Sequence, residues 1–259
     1  MKKCSVWVVA ALSAMMALFT SCLNGGTNEQ SGWVSGVMTR NMNAGGLMML
    51  NTGGGMLYIA ELDNETNYPA NTCVGVNWMI DYNADENANV AQRGYYVASI
   101  LQTPEIIEKG NAGYATDTLN LMENEVLLSS GYVTSNYQNY VDGWLMMASS
   151  VRASSSQLRT MEWYLSYPVE WKPVVYQGTN CYDFYVRATM EGTDETGASV
   201  TAVPQAYNVK TAIDRINSLE RASGNELYYI RFKYATDTLN NQITEWRVSD
   251  PLYMQVTQQ

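Results

Sequence analysis

Short runs of alternating apolar and polar residues, separated by turn clusters, limit the fold of this chain more than any other feature. Gly- and Asn-rich clusters such as 51–55 and 63–69 lie between the runs. Alternation with a period of two places one side of each run on a core, as in a half-buried β-strand. The spacing of runs and turns therefore predicts an all-β protein.

The first group of runs predicts a small barrel. Its candidate strands are 33–39, 46–49, 56–62, 73–80 and 94–101. Five short strands in one compact group most often form an oligonucleotide/oligosaccharide-binding (OB) barrel. We therefore predict an OB-like β-barrel domain over residues 32–108, with a connection at 104–113.

The second group of runs predicts a β-sandwich over residues 109–259. Its candidate strands are 125–133, 144–151, 157–167, 182–190, 227–235 and 244–248. Alternation is clearest in 182–188 and 227–233, which each have one apolar face. Several strands of this kind cover a single core when they form two packed sheets.

One amphipathic helix interrupts the second group. Its apolar residues recur at helical spacing: Val209, Ala212, Ile213, Ile216 and Leu219. Asn208 can cap the start of this helix, and Gly224 follows its end. A stripe that faces the core explains the spacing better than a partner-binding helix does.

The N-terminus predicts export and anchoring. Lys2 and Lys3 precede an apolar run at 6–19, which is typical of a signal peptide. Small residues stand directly before Cys22, as a lipoprotein signal peptidase requires. We predict a signal peptide at 1–21, a lipid on Cys22 and a flexible tether at 22–31. Ordinary cleavage beside an incidental cysteine is the alternative.

The predicted lipid places the protein in a bacterial cell envelope. Its expected anchor site is the outer membrane, on either the periplasmic or the cell-surface face. After Cys22 no uncharged apolar stretch approaches the length of a transmembrane helix, which needs about 20 residues.

Charge argues against one class of partner. The chain has a net charge of −10, and the signal peptide carries two of its 15 Lys and Arg residues and none of its 25 acids, so the mature charge is −12. An acidic surface repels nucleic acid and other polyanions. The chain is rich in Tyr (19) and Trp (7) instead, and these side chains build β cores or interaction surfaces.

The chain contains no histidine, which excludes several classes of enzyme. Ser-His-Asp catalysis, Cys-His catalysis and histidine-based zinc sites all need this residue. We predict no catalytic set, no metal site and no cofactor. The remaining enzymatic alternative uses paired carboxylates, for which Asp81 with Asp85, or Glu191 with Asp194 and Glu195, are the nearest candidates.

Cys73 and Cys181 are the cysteines that remain after export and lipidation. They fall in different predicted domains, so a disulfide between them would join the domains in an oxidising compartment. Two buried thiols are the alternative.

The segment Tyr-Ala-Thr-Asp-Thr-Leu-Asn occurs twice, at 114–120 and 234–240. We interpret it as a shared turn, in which Asp and Thr side chains bond to nearby backbone and Leu returns to the core. The alternative is a pair of ligand loops with 116–117 and 236–237 as the binding residues.

Several segments resemble a known family. Segments 32–37, 55–60, 74–82 and 93–100 resemble the N-terminal barrel of the NigD-like lipoproteins, and 142–147, 162–165 and 182–189 resemble strands of that family's C-terminal β-sandwich. The resemblance implies an OB-type barrel followed by a sandwich on a lipid anchor. It also implies an association with bacteriocin immunity, and it supplies no catalytic residues.

These features together predict a non-enzymatic envelope lipoprotein that acts as a binding or interaction module. Its expected partners are the membrane, through the lipid, and an envelope protein or a glycan. The tryptophans that could contact such a partner are Trp33, Trp78, Trp144, Trp163, Trp171 and Trp246. A carboxylate-dependent glycan hydrolase or a glycan-binding protein is the alternative function.

Overall fold

The computed structural model of the protein describes residues 28–115, 117–132, 140–192 and 196–257. The predicted signal peptide, Cys22 and most of the tether lie outside these ranges. Within them the protein is all-β, as predicted, with three short α-helices: α1 (Val90–Arg93), α2 (Ser155–Leu158) and α3 (Lys210–Ala222). No helix in the described ranges has the length and apolar character needed to cross a membrane.

The described chain forms two compact units. The first contains the residues up to Ile107 together with 140–142, and the second contains the other residues from Glu108 onward. Strands of the first unit are β1 (Glu29–Asn41), β2 (Leu47–Asn51), β3 (Met56–Tyr58), β4 (Cys73–Asp81), β5 (Tyr95–Val97), β6 (Ser99–Ile100) and β7 (Glu105–Ile106). Single turns of 3-10 helix lie at Met42–Ala44, Ala60–Leu62 and Asp85–Asn87.

The first unit is a closed OB barrel. Its strands follow the order β5-β3-β2-β1-β4-β6, and β7 also pairs with β4. Only Ala98 separates β5 from β6, so the two ends of this order meet and the sheet closes. Alternate residues of β4 point inward, which buries Val74, Val76, Trp78 and Ile80 in the barrel core.

The barrel begins earlier in the chain than the sequence predicted. Residues 29–31 belong to β1, where Glu29 pairs with Asp81 and Ser31 pairs with Met79 of β4. The predicted tether at 22–31 is therefore too long at its C-terminal end. Composition hid this part of the strand, because polar residues on an outward-facing strand end look like a linker.

The second unit contains the remaining strands. Its strands are β8 (Glu108–Lys109), β9 (Asn111–Tyr114), β10 (Glu125–Val126), β11 (Leu128–Tyr132), β13 (Trp144–Ala153), β14 (Glu162–Tyr167), β15 (Val174–Tyr176), β16 (Thr179–Thr189), β17 (Ser199–Asn208), β18 (Leu227–Leu239), β19 (Gln242–Val248) and β20 (Leu252–Gln255). The two-residue strand β12 (Tyr140–Val141) is grouped with the first unit.

These strands form the predicted sandwich. One sheet has the order β19-β18-β16-β14-β9, with β10 and β15 beside β16 and β20 beside β18; the other has the order β11-β13-β17-β8. The first sheet buries one face against the core. That face carries Tyr182, Phe184 and Val186 of β16 and Ile230 and Phe232 of β18.

Helix α3 covers the core as the spacing predicted, with one exception. Ala212, Ile213 and Ile216 are buried, whereas the predicted stripe member Leu219 is 42% exposed. Its neighbour Glu220 is buried instead and accepts a hydrogen bond from the hydroxyl of Tyr182. A polar contact therefore decides which side of the last helical turn faces inward.

Several strands escaped prediction. The expected connection at 104–113 contains β7, β8 and part of β9, and β15, β17 and β20 were not foreseen. Strand β17 was not predicted because it contains Pro204, and proline lacks the N–H that a central strand normally uses. Residues 157–158 belong to α2, not to a strand, because Ser154 caps this helix and forms a capping box with Gln157.

Candidate binding face

The solvent side of the eight-stranded sheet carries a row of aromatic residues. Residues that pair in register share a face, and Tyr185 of β16 pairs with Lys233 of β18 on the side opposite Phe184. The aromatic side chains on this face are half-buried or exposed, not sealed in the core. We call the aromatic members the tyrosine face: Tyr164, Tyr176, Tyr185, Tyr229, Trp246 and Tyr253.

Ring contacts hold the tyrosine face together. The ring of Tyr229 lies between those of Tyr176 and Tyr253, with centroid distances of 5.5 and 6.1 Å. Tyr185 and Trp246 form a second pair at 5.1 Å. All three contacts are edge-to-face, a geometry that the charge distribution of aromatic rings favours. The rings are therefore ordered before any partner arrives.

A charged group lies at the centre of the face. Asp183 accepts hydrogen bonds from Arg231 Nε at 2.5 Å and from Lys233 Nζ at 2.7 Å. Burial alone would raise the pKa of Asp183, but the bonds from Arg231 and Lys233 outweigh it and lower that pKa. Two cations surround one carboxylate, so this patch of an acidic protein has a positive excess.

A buried ion pair supports the face from one side. Arg187 of β16 binds both carboxylate oxygens of Glu125, with Nε to Oε1 at 2.7 Å, and the two side chains are 6% and 1% exposed. Its remaining N–H groups donate to the backbone carbonyls of Asp117 and Asn120, each at 2.6 Å. Sequence reasoning missed this cluster, although the alternation around Arg187 placed a cation within a strand.

The two copies of the repeated segment differ. In the first copy Asp117 accepts from the N–H groups of Leu119 and Asn120 and closes a turn. In the second copy, strand β18 runs as far as Leu239. The shared-turn interpretation is therefore wrong for the second copy, because pairing with β19 extends it. Of the proposed ligand loops, Thr116 lies outside the described ranges.

Both core cysteines are buried thiols. Cys73 lies in the barrel and Cys181 in β16, and neither is in a disulfide. The proposed disulfide is not formed, because each side chain is 0% exposed within its own unit. Burial raises the pKa of the Cys181 thiol to about 11, so at neutral pH it is protonated and unreactive.

The tryptophan candidates separate into core and surface residues. Trp78 and Trp163 are 1% and 4% exposed and belong to cores. Trp33 covers Gly75, where any Cβ would lie 3.0 Å from its ring, so Trp33 supports the barrel wall. Trp171 stacks on the core residue Tyr167 at 5.6 Å.

Two tryptophans remain after this division. Lys109 Nζ lies 4.6 Å from the centroid of the Trp144 ring, which is a cation–π contact within the second unit. Trp246 is the candidate that belongs to the tyrosine face. The other members of that face are tyrosines, and their number in the sequence did not show which of them lie on a surface.

The candidate carboxylates that the structure describes belong to local turns and strand ends. Asp81, the last residue of β4, accepts from the N–H of Asn83 at 2.8 Å, and Asp85 starts a 3-10 turn. Glu191 uses its backbone to bond Thr160, while Asp194 and Glu195 lie outside the described residues. The parts of the chain that the structure describes contain no cluster of His, Cys, Asp and Glu suited to a metal ion.

Comparisons agree with this architecture. Residues 26–104 match the family model described as Lipoprotein OB domain. No curated protein matches the chain in sequence. An uncharacterized protein from Parabacteroides merdae ATCC 43184 is 21% identical with a TM-score of 0.75, and the match covers 88% of this chain and 100% of that one.

Two further solved structures are similar over most of their length. A putative lipoprotein from Bacteroides fragilis NCTC 9343 is 11% identical with a TM-score of 0.54, covering 85% of this chain and 97% of that one. A NigD-like immunity protein from Bacteroides caccae ATCC 43185 is 13% identical with a TM-score of 0.39, covering 85% and 91%. The predicted fold is confirmed: an N-terminal OB-type barrel, which resembles a lipoprotein OB domain, is followed by a β-sandwich.

Proposed function

We propose that this protein is a non-enzymatic envelope lipoprotein that binds a protein partner through the tyrosine face. The observation that carries the proposal is the row of five tyrosines and Trp246 on the solvent side of one sheet. Tyr, Trp and Arg are the residues most enriched where protein interfaces concentrate their binding energy. The Arg231 side chain lies within this row.

Ring geometry favours a protein over a glycan at this face. The planes of Tyr229 and Tyr253 meet at 73°, and those of Tyr185 and Trp246 meet at 78°. Edge-to-face pairs expose ring edges and hydroxyls in several directions, whereas an extended sugar chain needs flat rings side by side. Side chains of a folded partner can fit between such rings, and an acidic side chain can meet the cations beside Asp183.

The charged groups of the face support binding over catalysis. Asp183 has a lowered pKa because Arg231 and Lys233 hold it as an anion, so it cannot serve as the proton donor of a glycan hydrolase. Glu162 accepts a hydrogen bond from the hydroxyl of Tyr164 on the same face.

We propose that a lipid on Cys22 anchors the protein to the outer membrane, with the folded units on the periplasmic or cell-surface side. This rests on the sequence before Cys22 and on the lipoprotein type of the OB domain. By its resemblance to NigD-like lipoproteins, the partner would be a bacteriocin-type toxin or another envelope protein. The negative charge argues against nucleic acid.

The partner can be found and the face tested in one series of experiments. A photo-crosslinking residue at Tyr253, which is 40% exposed, should trap an envelope protein or an added bacteriocin-type toxin. Binding of the purified partner should then fall at least tenfold in a Tyr229→Ala, Tyr253→Ala variant. Tyr114→Ala is the matched control, because Tyr114 is exposed on the same unit but belongs to another surface.

Two results would overturn the proposal. One is binding of the purified partner that is equal in the face variant and the wild type. The other is turnover of a glycan or peptide that Glu162→Gln or Asp183→Asn abolishes while the fold stays intact. For the anchor, Cys22→Ala should move the protein from the detergent phase to the aqueous phase, and unchanged partitioning would contradict lipidation.

A further inference from the structure

An arginine of the barrel has an unused hydrogen-bonding edge. Arg93 is the last residue of α1, in the connection between β4 and β5, and its guanidinium carbon lies 4.8 Å from the centroid of the Tyr95 ring. Its Nε and Nη2 atoms are shielded from solvent and have no acceptor among the residues that the structure describes. Buried charged donors normally have partners, so such a pair of atoms requires an explanation.

Other arginines of this protein show what this edge binds. In Arg187, Nε and Nη2 hold the two carboxylate oxygens of Glu125, and in Arg231 the same two atoms face the two oxygens of Asp183. The Nε and Nη2 groups point in parallel and match the spacing of carboxylate oxygens. In Arg93 the same two donors, Nε and Nη2, have no carboxylate partner among the residues that the structure describes.

The neighbours of Arg93 suit a sugar. Tyr58 and Tyr95 lie next to each other, with ring centroids 6.3 Å apart. Burial raises the pKa of Tyr58, and so do Asp63, whose carboxylate is 3.5 Å from the hydroxyl, and Glu61. Aromatic rings contact the carbon face of a sugar, while carboxylates accept bonds from its hydroxyl groups.

We infer that the barrel binds a glycan that contains a uronic acid, whose carboxylate pairs with the Nε and Nη2 edge of Arg93 and whose ring lies against Tyr95. The nearby Glu61 and Asp63 favour a hydroxyl-rich ligand with one carboxylate over a polyanion. Binding at this shielded edge requires the Arg93 side chain to rotate on the Tyr95 ring, and this rotation is part of the inference. OB barrels bind oligosaccharides as well as nucleic acids, which makes the location reasonable by analogy.

The test uses two probes that differ only in the carboxylate. Methyl β-glucuronide and methyl β-glucoside are titrated into the mature protein by calorimetry, and amide shifts of Gly94 and Tyr95 are followed by NMR. We expect saturable binding of the glucuronide with shifts at these amides, and binding of the glucoside at least tenfold weaker. Methoxyacetate, which carries a comparable carboxylate beside an ether oxygen without a sugar ring, should bind more weakly than the glucuronide.

Variants separate a binding role from a structural one. Arg93→Gln and Arg93→Lys should each reduce affinity for the glucuronide at least tenfold, because neither retains the paired Nε and Nη2 donors. Arg215→Gln, on the exposed side of α3, is the control and should bind as the wild type does. Without sugar, Arg93→Gln should melt no lower than the wild type, because an unpaired buried charge is removed.

Specific outcomes would overturn the inference. They are an absence of saturable glucuronide binding, equal binding of the glucoside, wild-type affinity in both Arg93 variants, or binding of methoxyacetate as tight as that of the glucuronide. Amide shifts confined to the tyrosine face would also place the sugar elsewhere and reject this site.

Discussion

The two copies of the segment Tyr-Ala-Thr-Asp-Thr-Leu-Asn have one sequence and two structures. Strand β18 continues through the second copy to Leu239 and pairs with β19. In the first copy strand β9 stops at Tyr114, and Asp117 closes a turn. Local propensity is identical in the two places, so the surrounding structure must select the conformation.

Different neighbours make that selection. After the second copy, Asn240 and Asn241 both have positive φ and form a two-residue hairpin turn that leads directly into β19. The first copy is followed by Leu121, and Arg187 binds its backbone carbonyls at Asp117 and Asn120. A hairpin turn extends one copy, and a buried cation holds the other in a turn.

Both copies meet at the start of β19. Ile243 pairs with Thr238 of the second copy, and its N–H donates to the carbonyl of Leu119 in the first copy at 2.8 Å. Asn120 also forms a bridge with Gln242. The repeat therefore places one segment on each side of the same strand, without a duplicated domain.

The largest effect is expected from removal of the charge that balances Arg187. Glu125→Gln leaves the Arg187 side chain buried without a counterion, and we expect a loss of about 3–5 kcal/mol in the free energy of unfolding. Denaturant titration measures this loss. Glu245→Gln, in an exposed ion pair with Arg247, is the control and should cost less than about 1 kcal/mol.

Hydrogen exchange in Glu125→Gln tests whether Arg187 causes the difference between the two copies. In Glu125→Gln the amides of Leu119 and Asn120 should exchange faster than in the wild type, because Arg187 no longer holds their turn in place. Amides of Thr238 and Leu239 should keep their protection relative to global unfolding. Equal acceleration in both copies would show that Arg187 does not distinguish them.

The second largest effect is a difference in stability loss between variants of Tyr234 and Tyr114, the first residues of the two copies. Tyr234 is 9% exposed in the core, whereas Tyr114 is 50% exposed. We expect Tyr234→Ala to destabilise the protein by about 3 kcal/mol, as for other buried aromatic residues. Tyr114→Ala loses mainly its edge contact with Tyr167 at 5.3 Å and should cost about 1 kcal/mol. Similar losses in chemical unfolding would contradict the difference in burial.

A smaller effect is expected at the asparagines that close the copies. Asn240 has a φ of 51°, a conformation that a residue other than Gly, Asn or Asp adopts only at a cost of about 1 kcal/mol or more. Asn240→Ala should therefore lower stability by that amount, and Asn240→Gly should leave it nearly unchanged. Asn120→Ala should change stability by less than about 0.5 kcal/mol. Thermal unfolding of the three variants would test this order.

The smallest effect is the pH dependence that Asp117 adds in the first copy. The hydrogen bond from the Asn120 side chain, followed by those from the N–H groups of Leu119 and Asn120, lowers the pKa of Asp117 in the folded protein. The stabilisation is therefore complete above the unfolded pKa of about 3.9 and is lost as the pH falls through the lower folded value.

Replacement by asparagine tests this dependence. Between pH 7 and pH 3, Asp117→Asn should lose slightly less stability than the wild type does. Asn120→Ala, which removes the first of these hydrogen bonds, should also reduce the pH dependence. The same pH dependence in Asp117→Asn and in the wild type would contradict the role assigned to these bonds.

Sequence patterns predicted the strands and the helix whose conformation follows from residues close together in the chain. Alternation predicted β4, β16 and β18, and helical spacing predicted α3, because burial of one face leaves a period that can be read directly. The prediction missed β17, where Pro204 resembles a strand breaker. It also wrongly placed Leu219 in the core, because the hydrogen bond from Tyr182 draws Glu220 inward and leaves Leu219 exposed in the last turn of α3.

The candidate sites also divide into features that the sequence shows and features that only the tertiary structure shows. The absence of histidine excluded catalytic and zinc sites that depend on this residue, and the acidic balance argued against nucleic acid, without any structure. The tyrosine face could be assembled only from strand order, because its members come from β14, β15, β16, β18, β19 and β20. Arg93 was also invisible in the sequence, since an arginine near a turn shows no sign of which of its donors lack an acceptor.

The sequence by itself determined the β character of this protein, its division into a barrel and a sandwich, and which side of each clear strand faces a core. Those properties depend on periodic burial and on turn residues, which are local. Only the tertiary structure decided the two conformations of the repeat, the pairing of Glu125 with Arg187 and the tyrosine face. Each of these joins residues far apart in the chain, and identical local propensities leave such choices to packing and to the balance of buried charge.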